Sequence, residues 1–461
     1  MHTLSRLALA GRCSLQKPTL VRSLFLAAGM MLASQTGPAI ADPIGGLAIR
    51  SGGDAQAERV PRRNPEAVPT EYREGLWWVD ADDSGSGAHQ HFVAGTRYAV
   101  DGVFTDVRPT GPLRVIDLAG AYMIPPLGDA HVHRIEGPWD LPALHKALAS
   151  GIFYMKNPSS FGPVVQRYRG LFNRPDAMDA TWSQGAITGS GSHPVPLYRN
   201  LAGIYRTPVE ELEGKAYFEI DRVADLERRW SEILSGKPDF LKVLFVNTET
   251  GGKTIGTPAP VAARAVTLAH ASGIHVTAHV VSAIDLEAAL DAGVDEITHM
   301  PGWAWLDGTP WPNIVSPELA RRMADSEVAL VVTAGIAATE GWREEGWEPS
   351  EVEQLLARNL RRMVRAGVRT YIGTDNVLSA RDEVEYLRRL RIRDDEEWLR
   401  AWIRTGPEAI FPTRAIGRLH AGYEASFVAL RCDPVVDFTC IDQIVRLEKQ
   451  GEELVPDAAN P

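Results

Sequence analysis

Two histidines one residue apart, His131 and His133, are the first groups in this chain whose spacing could hold a metal ion. Side chains on a strand repeat every two residues, so both imidazoles share a face and can turn to one cation. Asp129 stands two residues further back on that face, and the apolar run at 121–127 that feeds it reads as a buried strand. The pair alone is a weak signal: His89 and His91 repeat the spacing, and we read them as chance. Its weight comes from the residues near the ends of later apolar runs. Lys242 interrupts the run at 240–246, His279 and His299 fall at the ends of the runs at 275–280 and 296–300, and Asp375 follows the run at 369–374. Each has an ordinary reading. A strand-end His is usually a hydrogen-bonded interior residue, a Lys among apolar residues usually reaches for solvent, and an Asp after Gly-Thr is often a cap or turn residue. Four His, one Lys and one Asp at the same end of successive strands ask for a joint explanation, and convergence on one pocket supplies it.

Groups so far apart in sequence meet only if parallel elements carry them. Eight apolar runs, at 127–133, 151–155, 185–188, 240–246, 275–280, 296–300, 329–333 and 369–374, alternate with helical segments. At 222–235, Val223, Leu226, Trp230 and Ile233 fall on one helical face. Ser316 followed by Pro317 is a helix start, a capping side chain and then the residue that tolerates the first helical position. The alternation predicts an α/β fold, a (β/α)8 TIM barrel at 125–414 whose strand ends collect the site. Short strands precede it from Tyr72 and return after Gly417. Segments 67–124 and 415–455 are therefore expected to build one small discontinuous β-sandwich domain, with the barrel inserted into it.

A chain of 461 residues with 44% hydrophobic composition is long enough to bury both parts. Its formal net charge of -11, with no basic cluster, argues against a nucleic-acid partner. Arg6, Arg12, Lys17 and Arg22 precede an apolar segment at 24–33, and Ala39-Ile40-Ala41 fits a cleavage site. Residues 1–41 thus read as a signal peptide and 42–66 as a flexible lead-in. The mature protein is expected to be periplasmic or secreted, with no stable membrane span, because the apolar segment is short for a bilayer. Cys432 and Cys440 would remain; a disulfide and two free thiols are both open readings.

Several stretches together resemble the amidohydrolase superfamily, specifically its imidazolonepropionase/prolidase-like metal-dependent hydrolases. They are Ile116-Asp117-Leu118-Ala119-Gly120, Asp129-Ala130-His131-Val132-His133, Asp239-Phe240-Leu241-Lys242-Val243, Thr277-Ala278-His279, the segment 292–299 ending in His299, Gly373-Thr374-Asp375 and the closing segment 422–428. The resemblance runs from about residue 72 to 455. It implies that His131, His133 and Asp375 hold the more buried of two divalent metal ions, Zn2+ for preference, and that His279 and His299 hold the more exposed one. Lys242 would bridge them as a CO2-derived carbamate, since an ammonium cannot ligate a cation and a carbamate offers two anionic oxygens. Asp375 would take a proton from a water shared by the metals and pass it to the leaving group. The chain departs from the family at Pro125-Pro126, where Pro-Gly is usual, and at Ser426, where an acid is usual. Ser282 stands where mononuclear deaminases of the superfamily carry a Glu, which favours the binuclear hydrolase.

His193, in Ser190-Gly191-Ser192-His193, resembles the family's substrate-facing His after a Gly-rich turn. Lys156 and Asn157 read as a solvated loop pair. Trp303, Trp305, Trp311, Trp342 and Trp347 either wall an apolar substrate pocket or pack a lid or a homo-oligomer interface. His145, His270, His275 and His420 read as structural, with His270 capping helix carbonyls. The expectation is an exported metal-dependent amidohydrolase cleaving an amide-type C–N bond of a small molecule, such as a cyclic amide, an N-acyl amino acid or a dipeptide-like substrate. The alternatives are a lactonase or esterase on the same centre, or a non-catalytic periplasmic binding protein.

Overall fold

The computed structural model describes residues 59–80, 91–205, 207–246, 256–303 and 313–455. The expected leader, residues 42–58 of the lead-in, His89, Trp305 and Trp311 lie outside them. Five strands open the described chain: β1 (Thr70–Trp78), β2 (Phe92–Val100), β3 (Val103–Thr105), β4 (Arg114–Asp117) and β5 (Tyr122–Ile124). Among the described residues β6 (Leu127–Asp129), β7 (Ile152–Asn157), β8 (Asp179–Trp182), β9 (Ile187–Thr188), β10 (Phe218–Glu219), β11 (Leu241–Leu244), β12 (Val276–His279), β13 (Glu296–Thr298), β14 (Ala329–Val332) and β15 (Thr370–Ile372) follow, with helices between most of them. The chain closes on β16 (Phe427–Leu430), β17 (Ile444–Lys449) and β18 (Glu452–Glu453).

The first five strands and the last three share one sheet, in the order β18-β17-β16-β5-β1-β2-β3, with β4 paired to β1. The two ends of the chain meet where Met123 of β5 lies opposite Ala429 of β16 in an antiparallel ladder. Tyr72 and Trp77 each meet Phe427 edge to face, with ring centres 5.2 and 5.4 Å away. Strict alternation would put Tyr72 and Trp77 on opposite faces, because their positions differ by an odd number. A bulge between Tyr72 and Gly75, with Glu74 at φ 55°, resets the alternation and brings both rings inward. Gly75 suits this crowded spot: a Cβ there would press on the side chains of Met123, Leu118 and Trp77.

The middle strands are parallel, in two sheets ordered β6-β7-β8 and β10-β9-β11-β12-β13-β14-β15. They read as unbroken apolar runs because both faces are covered; Val243, Ala278, Ile297, Leu330 and Val331 are fully buried. Of the third run, expected as a strand at 185–188, only Ile187–Thr188 is strand, and β8 before it has no counterpart among the eight expected runs. Gln184 at φ 53° and Gly185 at φ 108° break the chain between β8 and β9. β8 pairs with β7 and β9 with β11, Ile187 lying opposite Val243. At the other edge, Ala130 N–H donates to the Ile372 carbonyl at 2.8 Å, and His131 accepts from the N–H groups of Thr374 and Asp375 at 3.1 and 2.8 Å. These bonds tie β6 to β15, the strands that carry His131, His133 and Asp375 at their ends. The helix Pro317–Asp325 starts as its sequence requires, with Ser316 Oγ accepting from Leu319 N–H at 3.0 Å.

Asp179, the first residue of β8, is buried between Arg414 at 2.8 Å and Lys449 at 2.9 Å, and Arg414 also pairs with Glu424 at 2.7 Å. Burial works against the Asp179 charge, but these two cations hold its carboxyl below the ordinary range. Removing one member strands the others in low dielectric. Asp179→Ala is expected to cost about 3–5 kcal/mol of stability in urea unfolding. An unchanged midpoint would show that water compensates for the lost charge. Cys432 and Cys440 form a disulfide, with Cα atoms 5.4 Å apart, just after β16. Among the described residues no helix is long and apolar enough to cross a membrane.

Candidate metal centre

β6 stops at Asp129, so His131 and His133 sit just beyond the strand end and not within it. Asp129 does not join them as a third group facing the cavity. Its carboxylate accepts from His131 N–H at 3.1 Å, from Thr374 N–H at 3.2 Å and from Thr374 Oγ1 at 2.8 Å. It thereby pins the turn after β6 to the turn after β15. Burial pushes its carboxyl up to about 7, although these bonds favour the charge. Asn376 makes a second clamp, its Oδ1 accepting from His133 N–H.

Held this way, Asp375 Oδ1 lies 3.2 Å from His131 Nε2 and 2.8 Å from His133 Nε2, and the two Nε2 atoms are 3.3 Å apart. The ligand atoms of all three residues fall within 4.8 Å of one another. Among the described residues the buried His131 Nδ1 has no hydrogen-bond partner, so its ring is oriented through the Nε2 edge. Arg134, His299, Asp375 and Asn376 are non-glycine residues at φ 62°, 76°, 52° and 58°. Four left-handed residues at one spot are costly, and the surrounding hydrogen bonds over-determine them.

His279 and His299 stand beside this group, their ring centres 4.5 Å apart, and His299 lies 4.7 Å from His131. His299 Nδ1 is 2.8 Å from Thr333 Oγ1, which leaves the Nε2 edge of its ring free of that contact. His193 stacks on His279 at 5.0 Å. Lys242 Nζ donates to Thr298 Oγ1 at 2.5 Å, and that hydroxyl donates to the Ala278 carbonyl at 3.0 Å. His131, His133, His193, Lys242, His279, His299 and Asp375 all line one cavity of ≈ 310 Å³. The residues singled out in the sequence are thus brought together, with His131, His133 and Asp375 as the tightest group.

Burial governs the charge states. It pushes His131 down to about 3 and His193 down to about 4, and it lowers His279 and His299 well below the usual imidazole range. These rings are neutral at pH 7 and present lone pairs. Burial also opposes ionisation of Asp375, but hydrogen bonds from His131 and His133 hold its carboxyl well below the ordinary value. Lys242 is driven down to about 7 by burial, against the pull of Glu296 and Asp375. Neutral imidazole nitrogens around an ionised carboxylate are the donors that Zn2+ and similar divalent ions take, so the residues fit a metal.

Other expectations need correction. Lys156 and Asn157 are not a solvated pair: β7 runs two residues further than expected and buries both. Lys156 Nζ donates to Glu296 Oε1 at 2.6 Å and to Thr277 Oγ1 at 3.0 Å, which satisfies the buried ammonium. His270 pairs with Asp295 at 3.0 Å and does not cap helix carbonyls. Trp303 lines the cavity, with its Nε1–H bonded to the Val280 carbonyl at 3.1 Å. Trp342 is buried against Tyr386, and Trp347 bonds Thr339 Oγ1 at 3.0 Å; neither lines the cavity. Sequence reasoning missed Arg134, Ser159, Leu197, Tyr198 and Asn376, which also line the cavity. Only Asn376 and Arg134 had a signal, their adjacency to proposed ligands.

No family model matches the chain, and no curated protein matches its sequence. Solved structures share its fold. An amidohydrolase crystal structure aligns with a TM-score of 0.64 at 20% identity, covering 84% of this chain and 99% of its own. A Xaa-Pro dipeptidase with methionine bound in its active site aligns with a TM-score of 0.64 at 16% identity, over 84% of this chain and 99% of its own. Ochratoxinase from A. niger gives a TM-score of 0.62 at 16% identity, over 86% and 99%. At these identities the likeness is one of fold.

Proposed function

We propose that this chain, which has the fold of solved amidohydrolases and prolidases, is an exported metal-dependent hydrolase that cleaves an amide-type C–N bond. In this reading the parallel strands form a (β/α)8 barrel inserted into the discontinuous β domain, supported by the bonds from β6 to β15. The observation that carries the function is the convergence of His131, His133 and Asp375 donor atoms within 4.8 Å, with His279, His299 and Lys242 in the same cavity. His131, His133 and Asp375 would hold one ion, His279 and His299 the other, and Lys242 would bridge them. Divalent ions bound there would make a water acidic enough to attack at neutral pH and would polarise the substrate carbonyl.

The chain's own groups do the rest. The Lys242 amine, held near neutrality by burial, is available to attack CO2: its nitrogen forms a bond to carbon and loses a proton, leaving a carbamate. Asp375, an ionised carboxylate at the cavity wall, accepts the proton of the attacking water and delivers it to the departing nitrogen. His193 would donate to or orient the acyl group. Leu197, Leu244, Trp303 and Ile336 give that group an apolar wall.

The test is hydrolysis of paired amides and esters by the chain purified with Zn2+ and bicarbonate. Amide turnover that is lost with a chelator and restored by Zn2+ is expected. Turnover of lactones or esters alone would move the assignment to an esterase. A metal-loaded chain that turns over neither would return the binding-protein reading. Asn376 offers a milder check: Asn376→Ala frees the His133 backbone and is expected to weaken metal affinity about 10- to 100-fold, with little change in melting temperature.

A further inference from the structure

Glu383 is fully buried in the first turn of the helix Ala380–Arg389, and it does not line the central cavity. Among the described residues no Lys or Arg pairs with it. A buried acid without a counter-cation costs stability, so its partners decide what it is for. Those partners are backbone groups. Oε1 accepts from Ala334 N–H at 2.6 Å, and Oε2 accepts from Gly335 N–H at 2.8 Å. Burial raises the Glu383 carboxyl, and these two bonds draw it back down. Successive N–H groups aimed at one carboxyl group make an anion-receiving nest, filled here by the chain's own side chain. The match is particular to glutamate. A glutamine would turn its NH2 group towards one of the two N–H donors. A Cβ at Gly335 would press on Glu383 Oε2 and on the Leu378 side chain.

The nest lies at the start of the short helical turn Ala334–Ala337, directly after β14. Thr333 precedes it, is fully buried, and has its Oγ1 2.8 Å from His299 Nδ1. Ile336 of the same turn lines the central cavity. His299 needs such a hold. It stands just beyond the end of β13 with its backbone at φ 76°, so strand geometry does not aim its ring. The helix that carries Glu383 begins five residues after Asp375. One carboxyl group therefore fastens the segment after Asp375 to the turn that reaches His299. If Nδ1–H donates to Thr333, the Nε2 lone pair of His299 is left for a cation. If Thr333 shifts, nothing on that side selects between the two tautomers.

We propose that Glu383 is a positioning residue of the candidate metal centre: it fixes Thr333, which holds His299 in the Nδ1–H tautomer with the Nε2 lone pair free for an ion. The contact between His299 and an ion rests on the hydrolase reading above; the control of its tautomer by Glu383 does not.

The experiment reads imidazole nitrogen NMR shifts in the full chain, labelled on histidine and free of metal, for wild type, Glu383→Gln, Thr333→Val and Thr333→Ser. His299→Gln identifies the His299 signals. Wild type is expected as the Nδ1–H form, Glu383→Gln and Thr333→Val as mixtures with the Nε2–H form, and Thr333→Ser as wild type. Zn2+ affinity, in competition with a chelator, is read beside the tautomer. The weaker ion is expected to bind about 10-fold less tightly in Glu383→Gln and about 10- to 100-fold less tightly in Thr333→Val, the range for groups that stand behind a ligand. The double variant should be no weaker than Thr333→Val, since both changes act through one bond. A wild-type tautomer in Glu383→Gln overturns the positioning role whatever the ion content, and leaves the hydrolase reading intact. An Nε2–H ring in wild type overturns it as well. A shifted tautomer in Glu383→Gln, in a chain whose wild type takes up no Zn2+, keeps the positioning role and removes the hydrolase reading. If Glu383→Gln does not fold, Gly335→Ala replaces it, because the added Cβ disturbs Oε2 while the acid stays; an unshifted tautomer there overturns the proposal.

Discussion

Asp375→Asn is expected to lower kcat by about 10⁴-fold, the upper end of what proton transfer by a positioned carboxylate contributes. The substitution keeps the shape of the side chain and one oxygen, so packing is preserved. It removes the charge that both His131 Nε2 and His133 Nε2 address, at 3.2 and 2.8 Å. An amide can neither accept a proton near neutral pH nor return one to a departing nitrogen. Elemental analysis beside the kinetics separates the two roles given to this residue. A variant that retains its metal but loses turnover has lost proton transfer. A variant that loses one ion has lost a ligand first. Retention of a tenth or more of the wild-type rate would remove Asp375 from the reaction.

Lys242→Ala is expected to reduce metal content from two ions per chain towards one and to cost about 10³-fold in kcat, comparable to deleting a preorganised charge-stabilising group. The reasoning is electrostatic. A buried ammonium beside four imidazoles would repel a cation, whereas burial at 3% exposure drives this amine down to about 7 and favours the neutral form. Alanine leaves space where the side chain reached Thr298, so added acetate should restore part of the activity by supplying carboxylate oxygens. Unchanged metal content in the variant would make Lys242 a hydrogen-bond donor to Thr298 and nothing more, and would point to a single-ion centre.

Much of the site was legible because metal ligation uses few residue types. His131, His133, His279, His299, Asp375 and Lys242 each fall in or beside an apolar run, and parallel strands carry such positions to a common end. Asn376 was not legible, because its bond to the His133 backbone depends on a turn whose left-handed geometry no spacing encodes. Lys156 was misread for a related reason. A Lys after an apolar run looks like a strand end, and the Glu296 carboxylate 2.6 Å away, with the Thr277 hydroxyl, makes its burial tolerable. β8 was missed because Asp179-Ala180-Thr181-Trp182 is too short and too polar to stand out as an apolar run, and only its pairing with β7 makes it a strand.

The sequence by itself determined the α/β alternation and the residue types that could bind a cation, since periodicity and side-chain chemistry are local properties. The tertiary structure alone decided which donors meet within 4.8 Å and which charges burial neutralises. Those outcomes depend on distances between residues hundreds of positions apart, and such distances are set by packing and by the long-range hydrogen bonds that join β6 to β15.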